Sequence, residues 1–252
     1  MNRKQGWRDL TGITGATLFL IAIWQVGALM VNNPMLPTPS RAIEAFFTAL
    51  AGKLALHLWV STYRVMASII ISVLVAVPLG LFLGRNRAVD RWVAPLVFLT
   101  YPIPKIVFLP IVLLFLGIGD SSKIFLITLI VSYQILVTTR DAAKSVQEAD
   151  ILSLRSLGGG QWDLYRHVII PACIPDILTA LRISAGTTVA VLFLVESFAT
   201  AEGLGYYIMD AWSRAASADM FAGIIAMALL GFVLILLVDA AETWLCAWRK
   251  VE

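Results

Sequence analysis

Long apolar runs separated by short polar segments are the dominant pattern along this chain. A helix needs about 20 mainly apolar residues to cross the hydrocarbon core of a membrane. The pattern predicts such helices near residues 11–31, 56–84, 105–116, 123–139, 172–199 and 219–247. The first run follows basic residues, as in a signal peptide, but its length and the lack of a small-residue cleavage site favour a retained helix.

Prolines interrupt the third apolar run, at positions 95, 102, 104 and 110. They exclude one straight helix, because proline lacks a backbone N–H group. We expect an interfacial piece, a break at Tyr101-Pro102-Ile103-Pro104 and then the span. Broken backbone at membrane depth needs cover from protein or a water-filled cavity, so the break is a candidate for a pathway wall. A kink packed by neighbouring helices is the equal alternative.

A shorter amphipathic helix is predicted between the first two spans. Prolines at 34, 37 and 39 end the first helix, and Ser40 is of a residue type that caps a new one. A helix beginning at Arg41 would carry Ala42, Phe46 and Leu50 on one side. This pattern predicts a short helix lying on the outer face of the membrane.

Composition indicates that lipid is the solvent for most of the chain. Of 252 residues, 60% are apolar and 14% are charged, against about 25% charged in soluble domains, and the mean hydropathy is +0.86. We therefore expect an all-α, polytopic membrane protein with about six transmembrane helices, forming one domain over residues 1–252. The net charge of +3 gives no indication of a nucleic-acid partner. Isolated histidines and cysteines argue against a metal site.

Lysine and arginine are unevenly distributed between the polar segments. If the N-terminus is inside, the cytoplasmic segments hold twelve of these residues and the outer segments hold four. Cytoplasmic loops carry the excess of positive charge in membrane proteins, so both termini and residues 140–167 are predicted to be cytoplasmic. The twelve are Arg3, Lys4, Arg8, Arg85, Arg87, Arg91, Arg140, Lys144, Arg155, Arg166, Arg249 and Lys250, and the four are Arg41, Lys53, Lys123 and Arg214.

Residues 140–167 form the longest polar segment between spans. The pattern of this segment predicts a projecting knuckle at about 140–170. Apolar residues recur at helical spacing from 143 to 157, and three glycines at 158–160 stop that helix. A second helix is expected over 162–170, with Pro171 and Pro175 opening the next span. The apolar side of the knuckle must be covered, either by its own chain or by a groove on a cytoplasmic partner.

At this knuckle the sequence resembles a known family. The pattern Gly158, nine residues, then Val168-Ile169-Ile170-Pro171 resembles the coupling-loop signature of binding-protein-dependent ABC importer permeases. That signature runs Glu-Ala-Ala, three residues, Gly, nine residues and Ile-x-Leu-Pro; here Leu152-Ser153-Leu154 replaces Glu-Ala-Ala. The resemblance implies that the loop docks on an ATPase subunit. The residues expected to act there are Leu152, Leu154, Leu157, Gly158, Trp162, Tyr165 and Pro171.

Other stretches are similar to the nitrate/sulfonate/taurine branch of these permeases. They are LPTPS at 36–40, HLWVSTYRV at 57–65, YPIPKIVFLPIVLLFLGIGDSSKI at 101–124 and AEGLGYYI at 201–208. The resemblance implies a type I ABC importer permease of the bacterial inner membrane, forming a homodimer that imports a small anion such as nitrate, sulfonate or taurine. It also implies a cytoplasmic ATPase dimer that binds ATP and Mg, an extracytoplasmic substrate-binding protein, and no cofactor in this chain.

Charged residues within apolar runs are costly and are therefore candidates for the pathway or its gate. Arg64 and Glu196 both fall in the predicted outer half of the membrane, where a mutual salt bridge would neutralise them; water or backbone carbonyls are the alternatives. Arg182 lies near Thr187 on a stretch of small and hydroxyl residues, which suits either helix packing or an anion pathway. The break adds Pro104 to this set.

Two other classes of membrane protein fit less well. A secondary transporter or channel that needs no ATPase would have broken helices in two related halves, whereas this sequence has one break and no repeat. A membrane enzyme needs a cluster of acid, base, nucleophile or metal ligands, and the carboxylates here are scattered. Since no Gly-x-x-x-x-Gly-Lys-Ser/Thr motif is present, ATP is expected on a partner chain.

Overall fold

The computed structural model describes residues 3–198 and 200–247. Within these residues the chain is helical and contains no strand, which confirms the all-α class. The helices are α1 (Arg3–Val31), α2 (Pro39–Leu50), α3 (Lys53–Arg85), α4 (Arg87–Thr100), α5 (Leu109–Leu116), α6 (Asp120–Ser145), α7 (Glu148–Ser156), α8 (Gln161–Leu164), α9 (Ile170–Glu196), α10 (Leu204–Ser213) and α11 (Ser217–Leu245).

Five helical stretches of the described chain are long and apolar enough to cross a membrane. They are the C-terminal part of α1, the whole of α3, α6 and α11, and the stretch Gln161–Glu196. A sixth crossing arises if α4 and Lys105–Leu116 form one broken span, since these two arms meet at 83°. Neither arm has the roughly 20 residues that a crossing needs. The structure therefore confirms about six spans, with the third one bent.

Two of the four prolines in the third span produce the bend. Pro102 and Pro104 lie between α4 and the 3-10 turn Lys105–Phe108, as the sequence predicted. Pro95 is accommodated inside α4. Pro110 lies in the first turn of α5, where its missing N–H group would have no helical partner in any case.

The predicted cap of the short helix between the first two spans is wrong. Helix α2 begins at Pro39 rather than Arg41, its N-cap residue is Thr38, and no side chain accepts a capping hydrogen bond. Proline is favoured in the first helical turn because its fixed φ already suits a helix. The Ser40 hydroxyl instead shares a hydrogen bond of 3.1 Å with the Thr38 hydroxyl.

The described chain forms two compact units. The first comprises residues 3–61, 196–198 and 200–229, and the second comprises residues 62–195 and 230–247. In the first unit, the Trp24 indole N–H donates to Pro37 O at 3.0 Å, and its ring stacks on Phe221 with centroids 5.4 Å apart. The Ser217 hydroxyl donates to Pro34 O at 2.6 Å. These contacts fix the segment that leads into α2.

Small residues bring α3 and α6 close together in the second unit. A Cβ atom on Gly80 would lie 2.7 Å from Thr139 Cβ, and one on Gly84 would lie 2.5 Å from Arg140 O. The Ser68 hydroxyl adds a hydrogen bond of 3.3 Å to Ile124 O. Close backbone approach through small and hydroxyl residues is a common way for helices to associate in membranes. Helix α6 of this pair leads directly into the knuckle.

Candidate functional site

The spacing from 143 to 157 predicted one helix for the first part of the knuckle, but these residues are divided between the end of α6 and a separate helix, α7. Helix α6 ends at Ser145, and Val146 and Gln147 are extended, with ψ of 126° and 136°. Helix α7 then runs from Glu148 to Ser156. The bend between them lets Ile151 of α7 pack into the buried cluster that contains Ala142 of α6.

The glycine turn at 158–160 ends α7 as the sequence predicted. Gly158 has φ of +83°, a conformation that glycine adopts without the steric penalty of a side chain. Its N–H donates to Arg155 O at 2.9 Å, and Gly159 N–H donates to Leu154 O at 3.1 Å, which is the Schellman arrangement of a helix end. Gly159 is restricted for another reason, because a Cβ atom there would lie 2.7 Å from Leu154 Cγ.

The second helix of the knuckle is continuous with the fifth span, so Pro171 and Pro175 do not open a new helix. Residues 161–196 are helical throughout. A π-helical turn covers Tyr165–Ile169, and Ile170 N–H donates to Tyr165 O. A π turn changes the hydrogen-bond register locally. It ends two residues before Pro171, which has no N–H group to donate to the preceding turn.

The apolar residues of the knuckle divide into a buried set and an exposed set. Leu154 and Tyr165 are partly buried against a cluster of the knuckle's own chain, and Pro171 is half-buried. That cluster contains Leu81, Ala142, Ala143, Ile151, Leu164, Ile169, Cys173 and Ile177. In contrast, Leu152, Leu157 and Trp162 are 60%, 85% and 73% exposed. The chain therefore covers one side of the knuckle and leaves an apolar surface on both sides of the glycine turn.

An ion network beside the knuckle was not predicted from the sequence. The Asp90 carboxylate on α4 accepts hydrogen bonds from Arg140, through Nε and Nη2, and from Lys144 Nζ. The Asp90 and Arg140 side chains are only 12% and 13% exposed. A usable signal was present, because Arg140 and Lys144 are four residues apart and so share one face of a helix.

A recess of about 360 Å³ lies beside the broken span. Lys105 and Thr187 line it, and Pro104, the other residue predicted near a pathway here, is exposed immediately before Lys105. The Lys105 Nζ atom lies 3.9 Å from the centroid of the Tyr133 ring and donates to Thr100 O at 3.2 Å and Ile103 O at 3.4 Å. The recess is lined by Tyr101, Ile103, Lys105, Ile106, Ile130, Tyr133, Gln134, Thr187, Ala190, Val191 and Leu194.

Arg182, which the sequence analysis proposed with Arg64 for the pathway or its gate, is paired with carboxylates of its own unit. Its guanidinium donates to Asp239 Oδ1 from Nε at 2.8 Å and to Glu242 Oε2 at 2.5 Å. Two carboxylates on successive turns of α11 therefore surround one arginine of α9. This arrangement has the features of a structural ion cluster that joins two spans.

Arg64 and Glu196 have partners that the sequence did not indicate. The buried Arg64 guanidinium donates to Asp120 Oδ1 at 2.8 Å from Nε and 2.6 Å from Nη2. The fully buried Glu196 carboxylate accepts from the Ser61 hydroxyl at 2.7 Å and from Gly205 N–H at 3.0 Å. The predicted coupling between Arg64 and Glu196 stays a prediction.

Comparison with known proteins identifies the family. The model of the family described as "Binding-protein-dependent transport system inner membrane component" matches residues 76–250. The chain belongs to this family. It is thus a membrane-embedded permease, a transport subunit of a system that depends on a substrate-binding protein.

Individual relatives cover the permease almost completely. The taurine transport system permease protein TauC of Escherichia coli is 32% identical over 98% of this chain and 95% of its own. SsuC of Bacillus subtilis, named for aliphatic sulfonates transport, is 30% identical over 99% of this chain and 92% of its own. The formylaminopyrimidine transport permease protein ThiX of Halalkalibacterium halodurans is 28% identical over 93% of this chain and 94% of its own.

A solved structure shows the same fold. The MetNI methionine ABC transporter in an inward-facing conformation matches with a TM-score of 0.64 and 17% identity, over 77% of this permease and 96% of that chain. This match supports the ABC permease fold class. It assigns no role to an individual residue of the permease.

Proposed function

We propose that this permease is the membrane subunit of an ATP-driven importer of small sulfonates such as taurine. The substrate class is supported by the two relatives above, which are named for taurine and aliphatic sulfonates. The knuckle couples the permease to a cytoplasmic ATPase. ATP and Mg bind to that ATPase, and this chain contributes no catalytic group.

The observation that carries the coupling role is the apolar surface at the glycine turn. Leu152, Leu157 and Trp162 remain exposed, although other apolar residues of the knuckle, such as Ile151 and Leu164, pack on its own chain. Exposed apolar residues on a segment that is otherwise polar favour insertion into a partner groove. Burying a leucine side chain contributes about 1.5–3 kcal/mol, and tryptophan is among the residues that dominate interfaces. This surface therefore suits docking on the ATPase.

The full assembly includes a second copy of the permease, an ATPase dimer inside and a substrate-binding protein outside. The cation distribution supports an orientation in which both termini and the knuckle face the cytoplasm. Residues 1–2 and 248–252 lie outside the described part of the chain. The assembly resides in the bacterial inner membrane, with lipid covering the apolar faces of the spans.

Two leucines of the knuckle provide a matched test. Leu157 is exposed and Leu164 is buried, so Leu157→Ala should release the ATPase without lowering the melting temperature, as should Trp162→Ala. Leu164→Ala should instead destabilise the permease by about 2–5 kcal/mol, because it leaves a cavity. The measurements are ATPase retention on purification in mild detergent, thermal unfolding, and ATP-dependent uptake in proteoliposomes.

Gly158→Val extends the same test to the turn. A β-branched residue is strained at φ of +83°, and an L-residue in this region costs about 1–2 kcal/mol, so the second helix should be misdirected and docking lost. If the Gly158→Val variant and the Leu157→Ala variant both retained the ATPase fully, the coupling role would be contradicted. Uptake driven by an ion gradient without ATP would instead support a secondary transporter.

A further inference from the structure

The recess beside the broken span places a cation where neighbouring charge does not neutralise it. In the described part of the chain, no carboxylate lies within salt-bridge distance of Lys105, whose contacts are the Tyr133 ring and two backbone carbonyls. Arg64, Arg140 and Arg182, by contrast, all pair with carboxylates. A lysine in an apolar span is costly without an anionic partner. Lys105 therefore supplies an unmatched positive charge at this position.

The contacts of Lys105 orient its amine without using all of its donors. A lysine amine has three N–H groups, and two carbonyls accept from this one, Thr100 O and Ile103 O. The face of an aromatic ring attracts a cation and fixes its position. One donor thus remains for a ligand in the recess.

Other lining residues add neutral donors. The Gln134 side-chain oxygen accepts from the Ser184 hydroxyl at 3.0 Å, which leaves the amide N–H₂ group with no acceptor among the described residues. The Thr187 hydroxyl likewise has no hydrogen-bond partner within the part of the chain that the structure describes. A cation, an amide and a hydroxyl together match the oxygen acceptors of a small oxyanion.

We propose that this recess binds the sulfonate group of the substrate during its passage, with Lys105 as the charged contact and Gln134 and Thr187 as neutral donors. This inference rests on the proposed function, because it assigns a site to the sulfonate of that proposal. The volume of about 360 Å³ falls within the range of about 300–1,000 Å³ that is usual for ligand pockets. A cation without a carboxylate partner favours an anion over a neutral heterocycle.

Uptake of radiolabelled taurine tests the assignment. Proteoliposomes would hold the complete permease–ATPase complex, with the binding protein in excess, so that the initial capture of substrate is saturated. Lys105→Gln should lower the uptake rate about ten- to a hundredfold, as expected for loss of a charge-assisted hydrogen bond. Lys105→Arg should retain most of the rate, and Lys53→Gln, which changes an exposed lysine at the start of α3, should have no effect.

Matched threonines separate the recess from the rest of α9. Thr187→Val should reduce uptake severalfold, whereas Thr179→Val should not, because the Thr179 hydroxyl is exposed and donates to Pro175 O. Equal melting temperatures and equal ATPase retention would show that each variant is folded and assembled. Equal uptake rates for Thr187→Val and Thr179→Val would count against the role of Thr187.

Chemical restoration of the charge distinguishes recognition from a structural role. Lys105→Cys, in a background of Cys173→Ala and Cys246→Ala, can be modified with aminoethyl methanethiosulfonate, which adds an amine, or with the uncharged methyl methanethiosulfonate. Recovery of uptake with the amine reagent alone supports the proposal. Unchanged uptake by Lys105→Gln, or the same uptake after either reagent, would overturn it. Failure of the wild-type complex to import taurine would overturn the proposed substrate class itself.

Discussion

At the scale of single residues, the segment that follows the fifth span is fixed by a buried carboxylate. Glu196 is fully buried and accepts hydrogen bonds from Ser61 and Gly205. Gly203 lies between Glu196 and Gly205 in the sequence and has φ of +114°. A Cβ atom on Gly203 would lie 2.3 Å from Glu196 Cδ. The Gly203 N–H donates to His57 Nδ1 at 3.1 Å. Gly203 is therefore restricted both by backbone conformation and by space.

These two restrictions predict a large effect of Gly203→Ala. The substitution should destabilise the permease by about 3 kcal/mol or more, since it combines an alanine in a backbone region that is essentially restricted to glycine with overpacking against Glu196. The matched control is Gly117→Ala, because Gly117 also has positive φ, +74°, but has no atom within 4 Å of the added Cβ. That control should lose only the backbone strain, about 1–3 kcal/mol. Thermal unfolding in detergent measures both, and equal losses would show that the contact with Glu196 is not restrictive.

At the scale of helices, the Asp90 network joins α4 to the C-terminal end of α6. Asp90 lies in the first turn of α4, where the partial positive charge of the helix start also favours a carboxylate. Arg140 and Lys144 both donate to it from successive turns of α6. The same α6 then leads through Val146 and Gln147 into α7. The network thus positions the base of the knuckle.

Asp90→Asn should therefore be strongly destabilising. Removing one member of a buried ion pair leaves the other charges uncompensated and costs about 3–5 kcal/mol. Asp141→Asn is the matched control, because Asp141 pairs with the same arginine at 3.1 Å but is 61% exposed. Exposed pairs contribute about 0–1 kcal/mol. Comparable melting temperatures for the two variants would contradict the proposed role of the network.

At the scale of the whole molecule, the open prediction is the orientation in the membrane. Helix α3 has 33 residues, which corresponds to a length of about 50 Å, more than a hydrocarbon core of about 30 Å. Its two ends, at Lys53 and Arg85, are therefore expected on opposite sides of the membrane. The twelve-to-four distribution of cations predicts that the Arg85 end is cytoplasmic.

Single cysteines test this orientation in intact cells. In a background without Cys173 and Cys246, an impermeant thiol reagent should label Lys53→Cys and Ala201→Cys but should not label Arg87→Cys or Ser156→Cys. All four positions are exposed, whereas cysteine at Gly159 or Gly203 would clash with Leu154 or Glu196. Labelling of position 156 but not of position 201 would reverse the topology.

Features that depend on local chemistry were predictable from the sequence. The spans follow from the length of each apolar run, the bend at 101–104 from two prolines, and the end of α7 from glycine at 158. Each depends on one continuous stretch of sequence rather than on contacts between distant residues. Local signals can also conflict. Ser40 favours a cap and Pro39 favours the first turn of a helix, and the prediction chose Ser40 although the helix begins at Pro39.

The tertiary structure decided which residues meet. Several ion pairs join an arginine to a carboxylate that is distant in sequence. Arg64 pairs with Asp120, 56 positions away, Arg140 with Asp90, 50 positions away, and Arg182 with Asp239, 57 positions away. No local pattern selects among the available carboxylates, because the choice depends on how the helices pack. The same holds for the leucines of the knuckle, which are alike in sequence. Leu157 is exposed and Leu164 is buried because only one side of the knuckle faces α3 and α6.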